Sequence, residues 1–221
     1  MLTTLTAIGA SGAIEEIPEV EIFGGFSMMK MGAVNKDIWQ FQKDMYSGGS
    51  RWMDEEESFF LNRGMAGSIA VNLSEYLSIV TDVKYNQGDL IEGFFEFQSS
   101  ETQTLVQTPF VIGIKTVSAL AGPRVSFRKE KGTVFVHALA GLDYWRLNGD
   151  YIIAGTEQNR NDDKFGPGIA IGGGVDINVH EKIAVRVIQA DYYRTRQMER
   201  WMNNVNFSFG IVFRVGEIVL K

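Results

Sequence analysis

Apolar and polar residues alternate with a period of two along eight segments of the chain, a pattern typical of β-strands with one apolar face. In the segment 134–144, for example, the even-numbered positions are apolar or aromatic, whereas His137 and Asp143 fall on the odd ones. The predicted strands cover residues 20–29, 65–73, 77–85, 117–128, 134–144, 169–177, 182–191 and 204–215.

Two of these segments carry local irregularities. Pro123 has no N–H to donate to a neighbouring strand, so a bulge or a local break is expected there. Ile188 interrupts the alternation of its segment. One extra residue at this point, a β-bulge, would bring Arg186, Gln189 and Asp191 to the same side.

The connections between the predicted strands alternate in length. Short polar turns are expected at 74–76, 129–132 and 178–181. Longer polar loops are expected at 32–64, 87–115, 146–166 and 195–203. This sorting predicts an all-β fold: an eight-stranded antiparallel up-and-down transmembrane β-barrel with short periplasmic turns and long extracellular loops. A soluble sandwich gives no reason for such sorting.

The two faces of each predicted strand differ in character. One is almost purely apolar, and the other combines Gly, Ala and Ser with isolated charges. A soluble lipocalin-like barrel would turn the apolar face inward. The small residues suit the crowded lumen of an eight-stranded barrel, and the charges are too few for a water-facing wall, so the inverse arrangement is favoured. The predicted polar network of the lumen is Glu21, Asp82, Lys84, Arg124, His137, Asp143, Asp176, Arg186, Asp191 and Arg214.

Aromatic residues lie near the ends of the predicted strands, as in the girdles of membrane barrels. Ordinary strand propensity explains the same enrichment, so this signal is weak. The residues are Phe26, Tyr76, Tyr85, Phe127, Tyr144, Trp145, Tyr192, Tyr193 and Trp201.

Composition narrows the classes of protein and of site. The 221 residues include no Cys and two His, which excludes thiolate chemistry, Cys-ligated zinc and a His-rich metal cage. The formal charge of −6 argues against a nucleic-acid partner. No run of 18 apolar residues predicts a membrane-spanning helix. Residues 1–13 are either a flexible tail or the remnant of a signal peptide, and 14–221 form one predicted domain.

Several segments resemble bacterial outer-membrane β-barrel proteins, in particular the small eight-stranded barrels similar to the transmembrane domain of outer-membrane protein A. The resemblance spans residues 20–215 and is most specific from Val117 onward. The segments that carry it are 121–128 (AGPRVSFR), 135–141 (FVHALAG), 172–176 (GGGVD), 183–192 (IAVRVIQADY) and 208–215 (SFGIVFRV).

The resemblance also implies how the chain is assembled. The last strand resembles the C-terminal signal that the barrel assembly machinery reads, with Ser208, Gly210, Phe213 and Val215 as its main positions. The family often ends in an aromatic residue at that strand, whereas residues 216–221 follow it here.

Candidate chemistry in the sequence is sparse. His137 beside Asp143 or Asp176 could be an acid–base pair, but a hydrogen-bonded interior histidine is the better interpretation. The segment 172–174 lacks the Lys-Ser/Thr and helix of a phosphate loop and instead makes room for large neighbours. The acidic segments 54–57 and 161–163 lack the ligand spacing of a calcium loop. No catalytic residue, cofactor or metal is therefore predicted.

The expected partners are those of a surface protein in a bacterial outer membrane. Arg194, Arg196 and Arg200 could meet lipopolysaccharide phosphates, although a solvated loop is the better explanation. The aromatic loop 32–64, and 87–115 beside it, could contact a protein partner. The predicted function is structural or surface interaction (adhesion, membrane integrity or loop-mediated binding) with at most a narrow pore. The alternatives are a barrel-embedded enzyme and a soluble ligand-binding barrel.

Overall fold

The computed structural model of the chain describes residues 17–31, 51–53, 61–98, 105–153, 156–197 and 200–217. These residues form nine strands. They are β1 Val20–Met31, β2 Arg51–Met53, β3 Leu61–Asn72, β4 Leu77–Gln98, β5 Leu105–Lys129, β6 Gly132–Ile153, β7 Thr156–His180, β8 Ile183–Gln197 and β9 Arg200–Val215.

Eight of the strands close into an antiparallel up-and-down barrel. Each long strand pairs with its neighbours along the chain, and β1 closes the ring by pairing with β9 from Val20↔Val215 to Met31↔Asn204. The short β2 pairs only with the far part of β4, at residues 94–96. The barrel fold predicted from the alternation is confirmed.

The two ends of the barrel differ. Residues 73–76, 130–131 and 181–182 make the short connections at one end, here called the turn end. Gly216 follows β9 at this end with φ of 72°, in the left-handed region that favours glycine. The opposite end, here called the loop end, carries the far parts of β4 to β7.

The strands β4 to β7 are longer than the alternation predicts. They have 22, 25, 22 and 25 residues, against 12 in β1 and β3. Residues 87–98, 105–115, 146–153 and 156–166, which the sequence predicts as loops, are therefore strand. Residues 51–53, 61–64, 195–197 and 200–203 of the predicted loops are also strand. The remaining parts, 32–50, 54–60, 99–104, 154–155 and 198–199, lie outside the described residues.

Both predicted irregularities can be located. Around Ile188 the pairing with β9 steps from Arg186↔Gly210 to Gln189↔Ser208, so two residues of β8 oppose one of β9, as a bulge requires. At Pro123 the pairing with β6 stops after Ala121 and resumes at Arg124 with the same register. This is a local break without a bulge.

Side chains alternate between the outer wall and the interior of the barrel, as the sequence pattern predicts. Side chains such as Phe26, Met65, Leu142 and Ile171 lie on the outer wall, with exposed fractions of 62%, 69%, 62% and 65%. Buried side chains alternate with them and fill the interior. Across the described residues no helix is long and apolar enough to cross a membrane.

Candidate functional site

The ten residues of the predicted lumen network all lie on the inner face of the barrel. Nine are almost fully buried, with exposed fractions between 0% for Asp191 and 6% for His137, and Arg214 is half-buried at the turn end. Asp82, Asp176 and Asp191 are thus enclosed together with the basic side chains that contact them. The inverted sorting of charge is the most distinctive property of the molecule.

A chain of polar contacts runs along the inner face of the neighbouring strands β7 and β8. Arg186 donates from Nε and Nη2 to the two carboxylate oxygens of Asp176 at 2.8 and 3.2 Å. Its Nη1 donates to Gln189 Oε1 at 2.7 Å, and Gln189 Nε2 donates to Asp191 Oδ2 at 2.9 Å. The bulge at Ile188 makes this possible, because it keeps Arg186 and Gln189 on the inner face.

Asp191 is the centre of the network at mid-height. It forms an ion pair with Lys84 of β4, which also lies 3.4 Å from Asp82. On β6, His137 Nε2 lies 2.9 Å from Asp191 Oδ1. The partner of His137 is therefore Asp191, and the pairing with Asp143 or Asp176 considered from the sequence is wrong. Since β6, β4 and β8 are not neighbours, these contacts reach across the lumen.

A second cluster lies nearer the turn end and centres on Glu21. Arg124 Nη2 forms an ion pair with Glu21 Oε2 at 2.6 Å. Arg128 Nη2 donates to Glu21 Oε1 at 3.2 Å and to Asn72 Oδ1 at 2.8 Å, and its Nη1 donates to the carbonyl of Glu75 at 2.6 Å. Arg128 thus ties the lumen to a turn.

Sequence reasoning placed Arg128 on the inner face but left it out of the network. The available signal was parity, because Arg128 shares its face with Arg124 and Ser126. The sequence likewise placed Gln189 on the same side as Arg186 and Asp191, but it did not predict that Gln189 bridges them.

Phe135 separates the two clusters and contacts both of their arginines. The guanidinium carbon of Arg124 lies 4.3 Å from the ring centroid and that of Arg186 lies 4.5 Å from it, and Arg186 also lies 4.2 Å from the ring of Phe23. Such cation–π contacts favour a cation over an aromatic face. They allow two like-charged groups to be buried close together.

The three glycines at 172–174 make this packing possible. A Cβ on Gly174 would lie 2.7 Å from Phe135 Cζ, and one on Gly172 would overlap the carboxylate of Asp191. Gly173 lies on the other face, against the backbone of Phe135. The interpretation of this segment as room for large neighbours accounts for these contacts.

The upper lumen is less completely hydrogen-bonded. Tyr193 donates to Asp143 at 3.3 Å. Trp145 and Tyr193 are 1% exposed, so their predicted place in an outer girdle is wrong, because parity turns both inward. Asn86, Thr116 and Trp145 lie side by side across β4, β5 and β6, and their side-chain polar atoms form no hydrogen bond within the described part of the chain.

The histidine of the lumen that the sequence singled out is partnered within the ion-pair network. His137 is buried against Asp191, and both are enclosed by other side chains. Within the described ranges no group of three or more His, Cys, Asp or Glu could hold a metal ion. The arrangement instead resembles a charged core that ties strands together.

The positions of the predicted assembly signal lie on β9 at the seam where the barrel closes. Ser208 and Gly210 face inward, whereas Phe213 and Val215 face outward with exposed fractions of 48% and 56%. Gly210 and Gly25 pair directly across the seam, and a Cβ on either would overlap the opposite backbone. Close approach of β1 and β9 therefore depends on both glycines.

Comparison with known proteins gives a fold but no sequence family. No family model matches the chain, and no curated protein matches it. Among solved structures, Ail, the attachment invasion locus protein of Yersinia pestis, in complex with the heparin analogue sucrose octasulfate, is 14% identical with a TM-score of 0.50. The alignment covers 89% of this chain and 99% of that chain.

Two further outer-membrane barrels match over similar lengths. Neisserial surface protein A is 10% identical with a TM-score of 0.44, covering 89% of this chain and 97% of that one. OprG from Pseudomonas aeruginosa is 7% identical with a TM-score of 0.47, covering 91% and 98%. At these identities the likeness to Ail concerns the fold, which is that of the eight-stranded outer-membrane barrels.

Proposed function

Since the chain folds as an eight-stranded outer-membrane β-barrel, we propose that it is an integral protein of a bacterial outer membrane with a structural and surface-interaction role. The observation that carries the proposal is the inverted sorting of side chains. Apolar residues cover the outer wall, and the ion pairs of Asp176, Asp191 and Glu21 are enclosed. In water, a continuous apolar wall of this kind would aggregate, whereas in a bilayer it is the required surface.

The packing of the lumen favours a scaffold over a general diffusion pore. An apolar layer of buried side chains also fills part of the lumen, with contributions from seven of the eight barrel strands. Its members are Met29, Ala70, Val80, Leu120, Leu139, Ala170 and Tyr193. An eight-stranded barrel has an interior just wide enough for its own side chains. Solutes have no open path through such a layer.

Interaction with partners is then assigned to the loop end. Four strands extend the barrel wall there, and the loops 32–64 and 87–115 contain the segments proposed to meet a protein partner. Ail was crystallised with a heparin analogue, which supports the idea that this fold can present a ligand-binding surface. Lipopolysaccharide and other outer-membrane lipids are the proposed surroundings. The barrel assembly machinery is the proposed partner during biogenesis, through Ser208, Gly210, Phe213 and Val215.

Fractionation combined with gel mobility tests the proposal. The full chain is expressed in a Gram-negative host, membranes are separated, and samples are run with and without boiling. We expect the chain in the outer-membrane fraction, extracted only by detergent, with a mobility that changes on boiling. A matched variant, Val136→Asp with Ile171→Asp, puts two charges on the outer wall and should lose the heat-sensitive band. Recovery of the unaltered chain in the aqueous fraction would overturn the proposal.

A further inference from the structure

The interior of the barrel is screened from water up to its turn end. Inward-facing polar side chains close to the turns are Asn72 on β3, Ser78 on β4, Ser126 on β5 and Thr133 on β6, with exposed fractions of 4%, 0%, 0% and 1%. In a barrel that is open at this end, polar side chains so close to the rim would meet water. Some part of the chain therefore covers them.

Residues 17–19, which lead into β1 at the turn end, are called the strap below. Ile17 is 4% exposed and Pro18 is buried as well, whereas Glu19 is exposed. Apolar side chains on the outer wall of the barrel are exposed, as Ile22 is to 41% in the following strand. The burial of Ile17 and Pro18 therefore indicates that they lie against the end of the interior and not on the outer wall.

Asn72 holds the strap at the mouth of the lumen. Its Nδ2 donates to the carbonyl oxygen of Pro18 at 2.6 Å, and its backbone N–H donates to the carbonyl oxygen of Glu19 at 2.9 Å. Its Oδ1 accepts hydrogen bonds from Ser78 Oγ and from Arg128 Nη2. Since these last two side chains belong to the inner face, Asn72 points inward, and the strap that it binds lies over the opening.

The segment after β9 contacts the strap from its other side. A Cβ on Gly216 would lie 2.8 Å from Glu19 Cβ and 2.9 Å from Glu19 Oε2. Gly216 also has a φ of 72°, which side chains other than hydrogen disfavour. Glycine at this position thus allows the chain that leaves β9 to pack directly on the strap.

The strap covers the end of the lumen that contains the Glu21 cluster. Glu21 forms ion pairs there with Arg124 and Arg128. Such charge contacts weaken when water raises the local dielectric constant. Arg128 contributes to the cover from β5, because its Nη1 donates to the carbonyl oxygen of Glu75 in the turn after β3. A closed strap therefore keeps this cluster away from bulk water.

We propose that residues 17–19 form a lid that closes the turn end of the lumen, with Asn72 as the residue that holds the lid shut. The inference goes beyond the proposed function, because it concerns access to the interior from one end. The strap is held by two hydrogen bonds to one residue and by two buried side chains. A contact of this size opens far more easily than the whole barrel unfolds, so the lid can open while the strands stay paired.

The reactivity of a buried cysteine tests the lid, and the chain contains no cysteine of its own. The reporter Ser78→Cys lies beneath the strap, and Lys131→Cys, on an exposed turn at the same end, gives the rate of an open site. Each full chain is folded in neutral detergent and treated with a charged thiol reagent. We expect residue 78 to react on the order of 100-fold more slowly than residue 131, because the reagent reaches it only when the lid opens.

Two changes in the reporter chain release the strap in different ways. Ile17→Gly/Pro18→Gly removes both buried side chains. Asn72→Asp keeps an oxygen that accepts from Arg128 but loses the N–H group that donates to the strap. Each change should speed the modification of residue 78 by about tenfold or more, because it removes a contact that exists only in the closed state.

A matched control loosens a different connection at the same end. Val179→Gly/Glu181→Gly replaces two exposed residues beside the turn between β7 and β8 and leaves the strap unchanged. The rate at residue 78 should stay at the value of the unaltered background.

A slow reporter that becomes fast in the strap variants, with the control still slow, supports the proposal. The proposal is overturned if residue 78 reacts as fast as residue 131 in the unaltered background. It is equally overturned if a folded strap variant leaves the rate unchanged, or if the control raises it as much. Heat-dependent gel mobility shows which variants are folded, and Asn72→Asp decides if the glycine variant is not. Because the reaction is measured in detergent, its failure leaves the fractionation test of the proposed function untouched.

Discussion

At the scale of single residues, the barrel depends on charges that are buried but partnered. The carboxylate of Asp191 contacts the side chains of Lys84, His137 and Gln189. The carboxylate of Asp176 accepts two hydrogen bonds from Arg186. A buried ion pair contributes little net stability over an apolar pair, but removal of one partner leaves a charge without compensation. Single and double substitutions should therefore have very different effects.

Arg186→Met should destabilise the barrel by about 3–5 kcal/mol, because the carboxylate of Asp176, 1% exposed, loses its bidentate donor. The double variant Arg186→Met/Asp176→Asn removes the leftover charge and should recover at least about 1 kcal/mol. Urea unfolding of the protein in lipid vesicles, followed by tryptophan fluorescence, measures both. Arg146→Met, on the exposed rim, is the control and should change stability by less than about 0.5 kcal/mol. A double variant no more stable than the single one would contradict this account.

Which residues face the lumen could be predicted from the alternation along each strand, but which of them contact one another could not. His137 and Asp191 are 54 positions apart and lie on strands that are not neighbours. Which residues meet across the lumen depends on the stagger of all eight strands, and the alternation within one strand carries no information about stagger. Hence the inner-face set followed from the sequence, whereas the pairing of His137 did not.

At the scale of elements, glycine positions decide which strands can carry large inner side chains. Phe135 occupies the lumen opposite Gly174 of β7, where any Cβ would lie 2.6 Å from the carbonyl oxygen of Ile188 and 2.7 Å from the phenyl ring. Gly24 on β1 is the natural contrast, since it faces outward and a Cβ there would meet nothing within 4 Å.

Gly174→Ala should therefore destabilise the barrel by about 1–3 kcal/mol through overpacking, whereas Gly24→Ala should be close to neutral. Urea unfolding of both variants in lipid vesicles compares them directly, because each replaces one glycine by alanine. The double variant Gly174→Ala/Phe135→Leu has a smaller side chain in place of the ring and should regain part of the lost stability. Equal effects of the two alanine substitutions would show that the clash with Phe135 is not the cause.

Strand ends were less predictable than strand existence. In β4 the register with β5 shifts by one residue between Asp89 and Ile91, so Gln87 and Asp89 before this irregularity and Glu92 and Glu96 after it have opposite parities. A period-two pattern read along the sequence loses its phase at such a point, although the backbone pairing with β5 continues to Gln98. The signal for membrane-spanning strand is therefore shorter than the strand itself.

At the scale of the whole molecule, the fold reverses the usual sorting of a soluble protein. In the part of the chain that the structure describes, the closed ring leaves no open edge along the apolar part of the wall, so backbone groups there are paired between strands. The outer wall is apolar, and the lumen is filled by ion pairs and an apolar layer. All of the proposed functions follow from this orientation.

Spin-label accessibility tests that orientation most directly, and the chain contains no cysteine to remove first. Single cysteines are placed at Val136 and Ile171 on the outer wall and at Lys115 on the rim, labelled, and folded into vesicles. We predict that the labels at 136 and 171 collide more often with oxygen than with a water-soluble nickel complex, and that the label at 115 shows the reverse. Labels at 136 and 171 as accessible to the nickel complex as the label at 115 would contradict the account.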